Sequence, residues 1–251
     1  MLIFYVRHGD PIYTPDSLTP LGERQAESVA KRLALFGVDE VYASSSNRAI
    51  QTATPTCELL HKKVKILDFL NENHLDAHLQ LPTKDNKKKW FWSHPEASAV
   101  LASREVRGMG DEWYKHPYFE KYHFEETIHL INRALDEFIA SHGYEHDTEK
   151  GLYRVNERNT EKRIAIFAHE CMGKIVMSHL LDIPFPYYAA HFEMKHSAMT
   201  VIRLDDGTLV DDNDIPSEYA RARVLTLGND SHLYRDGLPL LHNCARLRDK
   251  Y

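Results

Sequence analysis

Two short apolar runs, Leu2-Ile3-Phe4-Tyr5-Val6 and Ile164-Ala165-Ile166-Phe167-Ala168, constrain the fold of this chain more than anything else in it. Each is rich in β-formers and lacks the polar alternation of a half-exposed strand. Each also stops abruptly, the first at Arg7-His8-Gly9-Asp10-Pro11 and the second at His169. Unbroken apolar character is what a strand needs when both faces of its sheet are covered. Helical patterns follow both runs. Thr19-Pro20 reads as an N-cap and a first-turn proline, Ala26, Val29, Ala30 and Leu33 recur at helical spacing, and Gly37 closes the segment. Met172 to Leu181 reads as the helix after the second run. Val38 to Ala43 predicts another strand, and Ser44-Ser45-Ser46-Asn47 supplies N-cap candidates for a helix from about Arg48 to Leu60. Thr200 to Leu204 and Arg221 to Leu227 predict further strands, with a turn signal at Asp205-Asp206-Gly207. This alternation predicts an α/β fold, a three-layer α/β/α sandwich with a mostly parallel central sheet. Ligands of such sheets bind beyond the carboxyl ends of the strands, where both histidine-bearing loops would meet.

Between Glu72 and Arg163 the pattern becomes polar, aromatic and largely helical, which predicts a mainly helical insertion over the active site, with 73–160 as a lid on one catalytic domain spanning 1–251. Within it Lys84 to Trp92 and Glu125 to Ile139 read as helices, the latter through Ile128, Ile131, Leu135 and Phe138. Gly143 to Thr160 is polar and reads as an exposed loop.

Composition limits the classes of function. A formal net charge of -6 gives no general attraction to nucleic acid or anionic lipid, so an anionic substrate needs specific residues to hold it. Three scattered cysteines, Cys57, Cys171 and Cys244, form no C-x-x-C pair and suit a reducing cytoplasm better than a disulfide framework. The opening apolar run is too short for a signal-peptide core, and no stretch reaches the roughly 18 to 20 apolar residues of a membrane span, so neither export nor a membrane anchor is expected.

Metal-free cleavage of a phosphomonoester needs a nucleophile, cations for the non-bridging oxygens and an acid for the departing oxygen. His8 at a strand end is a competent nucleophile while neutral, and Arg7 beside it offers planar donors to phosphate. Gly9 lets the backbone approach an anion. Arg48 adds a second guanidinium at a helix start, where backbone amides also favour negative charge. His169, ending a second strand, can face His8 across the phosphate as a protonated donor.

Arg7-His8-Gly9, the stretch Leu18 to Ala26, the stretch Ala43 to Ala53 and Phe167-Ala168-His169 resemble, in order, the signatures of the phosphoglycerate mutase-like histidine phosphatase superfamily. The resemblance covers roughly half the chain, residues 1–76 and about 162–204. It implies that His8 is the phosphorylated nucleophile, that Arg7, Arg48 and His169 bind the substrate phosphate, and that Glu72, within Leu70-Asn71-Glu72-Asn73-His74, is the general acid. It implies the same three-layer fold and no metal or other cofactor. Asp10 stands where the family usually has glutamate or glutamine, and Glu170-Cys171 where glycines are common. A Glu170 side chain beside a bound dianion would repel it unless turned away. Asp68, Asp76 and Glu170 compete with Glu72 for the acid role.

The expected function is therefore a metal-independent phosphomonoester phosphatase working through phosphohistidine. Its partner would be a small phosphorylated metabolite, with no nucleic acid or membrane, and the oligomeric state stays open, a homodimer included. A cofactor-dependent phosphoglycerate mutase is the neighbouring reading. That resembled subgroup carries an adjacent arginine pair in its insertion, where this chain has only the separated Arg104 and Arg107. A catalytically silent phosphate-binding member is the third. Among the 16 histidines, His74 with His78 and His142 with His146 share i, i+4 spacing, but without an H-E-x-x-H glutamate most read as exposed polar residues. Lys84, Lys87, Lys88 and Lys89 beside Trp90-Phe91-Trp92 read as a solvated face over an aromatic stripe, and His232 as structural.

Overall fold

The computed structural model describes residues 1–157, 161–205 and 218–239. Its centre is an eight-stranded sheet in the order Val64–Ile66, Glu40–Ala43, Arg163–Ala168, Leu2–Arg7, Met199–Asp205, Tyr219–Asn229, Leu152–Val155, Tyr144–Asp147. The first four strands are mutually parallel, and every later pairing is antiparallel. The parallel character predicted for the sheet thus belongs to the half that carries both histidine loops. The antiparallel half has a topological cause. After the helix Glu170–Leu180 the short helix Phe185–His191 leads the chain back to the strand ends near His8, where Ser197 N–H donates to the His8 carbonyl at 3.0 Å, so the next strand must run the other way.

The unbroken apolar runs are explained by two cores. Ile3, Tyr5, Ile164, Ile166 and Ala168 face a large cluster with Ile128, Ile131 and Leu135 of the helix Phe124–Ala140 and Met172, Ile175 and Val176 of the helix Glu170–Leu180. Phe4, Val6, Ala165 and Phe167 alternate onto the opposite face, against Val29 and Leu33 of the helix Pro20–Phe36 and Ala53 and Cys57 of the helix Asn47–Leu60. Period-two alternation with both sets buried gives the three layers. Each fully buried aliphatic or Phe side chain contributes about 1.5–3 kcal/mol through removal from water.

The predicted helix ends are present: Thr19 accepts from Gly22 N–H, Gly37 sits at φ 70°, and Ser46 accepts from Ala49 N–H. Two expectations fail. Lys84 to Trp92 is not a helix: Gln80–Pro82 pairs with Lys88–Trp90 as a hairpin, turned by Asn86 at φ 58° with Thr83 O accepting from Asn86 N–H. Its apolar partners are aromatic rings rather than a helical stripe, since Trp90 stacks on Trp92 with centroids 5.2 Å apart and Phe91 on Phe124 at 4.2 Å. The described part of the Gly143 to Thr160 stretch, residues 143–157, is not an open loop either, because Tyr144–Asp147 and Leu152–Val155 form a hairpin that extends the sheet and buries Tyr144 and Tyr153. The turn signal centred on Asp206-Gly207, together with Cys244, lies outside the described residues. No helix among them is long and apolar enough to cross a membrane.

Candidate active site

Parallel register brings the two histidines together. Arg7 pairs with Ala168, and the next residues, His8 and His169, emerge side by side with ring centroids 5.2 Å apart. Glu40–Ala43 lies parallel on the other side of Arg163–Ala168, and the Ser44–Ser46 segment after it starts the helix bearing Arg48. Glu72 opens a one-turn 3-10 helix fixed by Asn71, whose carboxamide oxygen accepts from Asn73 N–H at 3.0 Å and whose NH₂ donates to Ser45 Oγ at 2.8 Å. Arg7, His8, Arg48 and His169 are all buried.

His8 Nδ1 lies 2.7 Å from its neighbour's carbonyl, Gly9 O. A carbonyl only accepts, so Nδ1 carries the proton and Nε2 presents its lone pair. Burial, then the positive charge of Arg7 and of a protonated His169, pushes the His8 pKa well below the ordinary histidine value, so the ring is neutral at neutral pH.

His169 is held from both sides. Nε2 lies 2.9 Å from Ser44 Oγ and 3.2 Å from Ser46 Oγ, and Nδ1 lies 3.2 Å from Arg48 Nη2. The guanidinium can only donate, so in the neutral ring Nδ1 accepts and Nε2–H points at the serine hydroxyls. Burial lowers the His169 pKa to about 4, with Glu72 pulling the other way and Arg48 and Arg7 adding to the fall. The protonated donor expected from the sequence is thus a neutral ring at neutral pH; a dianion beside it would supply the charge that draws a proton back onto it.

Arg48 donates through Nη1 to Asp16 Oδ1 at 2.7 Å and through Nη2 to Glu72 Oε1, with the Tyr13 ring 5.4 Å from its centre. The other Glu72 oxygen accepts from the buried Cys171 thiol, and Oε1 lies 3.5 Å from His169 Nδ1. The carboxylate therefore sits where the cationic groups converge, in the place an anionic ligand would take. Burial pushes the Glu72 pKa up, but His169, Arg48, the Cys171 thiol and Arg7 outweigh it and leave it lowered. Because His169 is neutral above about pH 4, Arg48 carries most of that pull at neutral pH.

The remaining sequence-flagged residues separate cleanly. Arg7 Nη1 donates to Met194 O at 2.6 Å. Gly9 is demanded by packing as well as by any anion: a Cβ there would stand 2.6 Å from Gly22 O, at the start of the first helix. Asp10 accepts from Thr19 Oγ1 at 2.7 Å and faces His196 Nδ1 at 3.4 Å. Glu170 turns to Lys174 at 3.3 Å, which removes the expected repulsion. Asp68 accepts from Ser45 Oγ, and the Asp76 side chain is outside the described set. His232 is buried against Ser197 Oγ at 3.0 Å, a structural position. His142 and the His146 ring are buried, not exposed as predicted, because the segment after Ala140 folds back as sheet.

Sequence reasoning missed Asp16, Cys171, His196 and the anchoring roles of Ser44 and Ser46. The serines read only as helix caps. His196, whose ring lies 5.5 Å from His8, arrives through the return of the chain after Phe185–His191, which no local pattern announces. His8, Glu72 and His169 offer three ligand atoms within 4.8 Å of one another, yet Arg48 lies among them, so the local charge favours an anion over a metal ion.

Residues 3–113 match the family model described as histidine phosphatase superfamily (branch 1). No curated protein sequence matches the chain. Among solved structures, the chain is similar to mycobacterial glucosyl-3-phosphoglycerate phosphatase in complex with inorganic phosphate, at 17% identity and a TM-score of 0.57, covering 92% of this chain and 98% of that one. A phosphoserine phosphatase mutant from Entamoeba histolytica gives 16% and 0.57 over 92% and 98%. Bacillus stearothermophilus YhfR gives 16% and 0.56 over the same shares. At these identities the likeness establishes the shared fold.

Proposed function

Because residues 3–113 carry the histidine phosphatase superfamily (branch 1) segment, we propose that the chain is a metal-independent phosphomonoester phosphatase acting through a phosphohistidine at His8. The observation that carries this reading is the fixed tautomer of His8, whose Nδ1–H is committed to Gly9 O, which leaves Nε2 a lone pair on a ring that lies beside His169, itself in contact with Arg48. Nε2 attacks phosphorus in line, the P–O bond to the alcohol breaks, and Glu72 supplies the proton to the departing oxygen. Arg7, Arg48 and His169 bind the non-bridging oxygens. Water then attacks the phosphohistidine, its proton passes to the Glu72 carboxylate, the P–N bond breaks and phosphate leaves.

Glu72 is ionised in the resting pocket, so it becomes an acid only on substrate binding. A dianion that takes Arg48 and His169 from Glu72 removes the contacts that hold its pKa down, and its burial then favours the protonated form. The phosphatase names of the solved structures of like fold, one acting on a phosphorylated sugar acid derivative and one on phosphoserine, support a small phosphorylated metabolite as substrate. Hydrolysis is favoured over the mutase reading because Arg104 and Arg107 are not adjacent, and Arg107 lies over the Tyr187 ring at 5.6 Å. Cys57 and Cys171, buried free thiols, suit a reducing cytoplasmic setting.

The test is trapping. A Glu72→Gln variant mixed with a ³²P-labelled aryl phosphate, whose leaving group needs no proton, and quenched in alkaline denaturant should hold acid-labile, alkali-stable label on His8, absent from His8→Ala. Turnover by Glu72→Gln without such label would remove the proposed intermediate.

A further inference from the structure

A second cluster of titratable side chains lies at the far end of the helix that His169 precedes. Asp136 comes from the helix Phe124–Ala140, His146 from the strand Tyr144–Asp147 and His179 from the helix Glu170–Leu180. His146 Nδ1 is 3.0 Å from Asp136 Oδ1, His179 Nε2 is 2.8 Å from the same oxygen, and the two nitrogens are 3.3 Å apart. Three donor atoms on three separate elements thus converge on one point.

The second nitrogen of His146 is also committed. Nε2 lies 3.2 Å from both oxygens of Asp182, and the ring stacks on Tyr153 at 4.4 Å between centroids. Asp182 accepts only, so Nε2 carries a proton, and in a neutral ring Nδ1 then turns a lone pair toward Asp136 and His179. Lone pairs facing a carboxylate oxygen at such distances repel, so a positive species must stand among them, either an extra proton or a metal ion. A metal bound at about 2.0–2.1 Å with tetrahedral angles would set its ligand atoms about 3.3 Å apart, which the two nitrogens match at 3.3 Å and the two nitrogen–oxygen pairs approach at 3.0 and 2.8 Å. A histidine ligand whose other ring N–H is held by a carboxylate is the usual supporting arrangement around zinc, here His146 with Asp182.

We propose that Asp136, His146 and His179 form a binding site for a borderline divalent transition metal of the zinc class, with Asp182 orienting His146. Imidazole and carboxylate donors suit that class better than calcium or magnesium, which prefer all-oxygen shells. The site opens on a cavity of about 450 Å³ lined by Asp111, His129, Asn132, Arg133 and Thr148, which leaves a coordination position for water or a small anion. A metal there clamps the insertion helix and the hairpin to the C-terminal turn of the helix that begins just after His169.

The experiment is titration of the metal-stripped full chain with Co²⁺, read by visible d–d absorption and calorimetry, with Zn²⁺ competition. The expected result is one Co²⁺ per chain, displaced by Zn²⁺, with His179→Gln and Asp136→Asn each weakening binding at least about 100-fold and Asp182→Asn about 10- to 100-fold. His8→Ala should leave stoichiometry and spectrum unchanged, separating this site from the His8, Glu72 and His169 trio. Circular dichroism establishes that each variant is folded, and Asp182→Asn keeps all three ligands should another variant fail to fold. Absence of uptake by the parent chain, or binding that survives in folded His179→Gln and Asp182→Asn, would overturn the proposal.

Discussion

Replacing Glu72 by Gln separates binding from chemistry in this pocket. The Glu72 carboxylate sits on Arg48 Nη2 and beside His169 Nδ1, occupying the position that the proposed function gives to an incoming phosphate. Gln keeps the shape and an oxygen for Arg48 but removes the charge. A hydrogen bond to a charged partner is worth about 1.5–3 kcal/mol net. The full Coulomb attraction of a pair at about 4 Å and an effective dielectric of about 20 is about 4 kcal/mol, which bounds the effect from above. At about 1.4 kcal/mol per decade, inorganic phosphate should bind Glu72→Gln about 10- to 100-fold more tightly than the parent. Turnover should move the other way. Loss of the proposed general acid should slow an alkyl phosphate about 10²- to 10⁴-fold. An aryl phosphate, whose leaving group needs no proton, should be slowed far less. The assay is phosphate affinity by calorimetry and as a competitive inhibitor constant, together with kcat/KM, which reports phosphorylation of His8 and not the release step common to both substrates, for an alkyl and an aryl ester. Unchanged or weaker phosphate binding would refute the idea that Glu72 competes for the anion site, and equal slowing of the two esters would refute its role as acid.

Glu170 pairs with Lys174 and turns from the pocket, so Glu170→Gln should keep kcat/KM within about twofold of the parent in a steady-state assay, and a gain of tenfold or more would mean that its charge does oppose the substrate. Stability should fall on acidification. Burial, as the leading cause, lowers His142, His169 and His232 to about 4 and His196 to about 3, so between those values and about 6.5 the unfolded chain binds more protons than the folded one, and the stability these groups contribute above about pH 6.5 is lost as pH falls toward 4. Thermal melts from pH 7 to pH 4.5 should show a falling Tm, with His142→Gln flattening the slope, and a Tm that is constant or rises over that range would contradict the assignment. In the metal-free chain His146, its burial outweighed by Asp136 and Asp182 so that its pKa is raised to about 9, works in the opposite sense: its contribution is full below about pH 6.5 and is lost as pH rises from there through about 9.

The apolar runs at Leu2–Val6 and Ile164–Ala168 were enough to require a sheet covered on both faces, and the capping pattern Thr19-Pro20 to Gly37 was enough to place the first helix, because both signals are local. The same locality made the places of Arg7, His8, Arg48 and His169 in the fold legible, since each ends or follows a strand or opens a helix, while the roles proposed for them came from the resemblance. Local signals failed where a segment's partner was distant. Lys88–Trp90 and the segment from Tyr144 to Val155 became parts of hairpins because rings and sheet edges elsewhere gave them something to pack against.

Only tertiary structure decided the charge states and the hidden partners. Burial and Arg48 make His169 neutral, Asp16 and Cys171 hold Arg48 and Glu72, and Glu170 is disarmed by a lysine one turn away. His146 and His179, 33 positions apart in the chain, meet at 3.3 Å only because a hairpin edge and a helix end abut. A residue's type and its local period depend on sequence alone, whereas its protonation and its ligands depend on which distant groups remove its water, and that is set when the layers close.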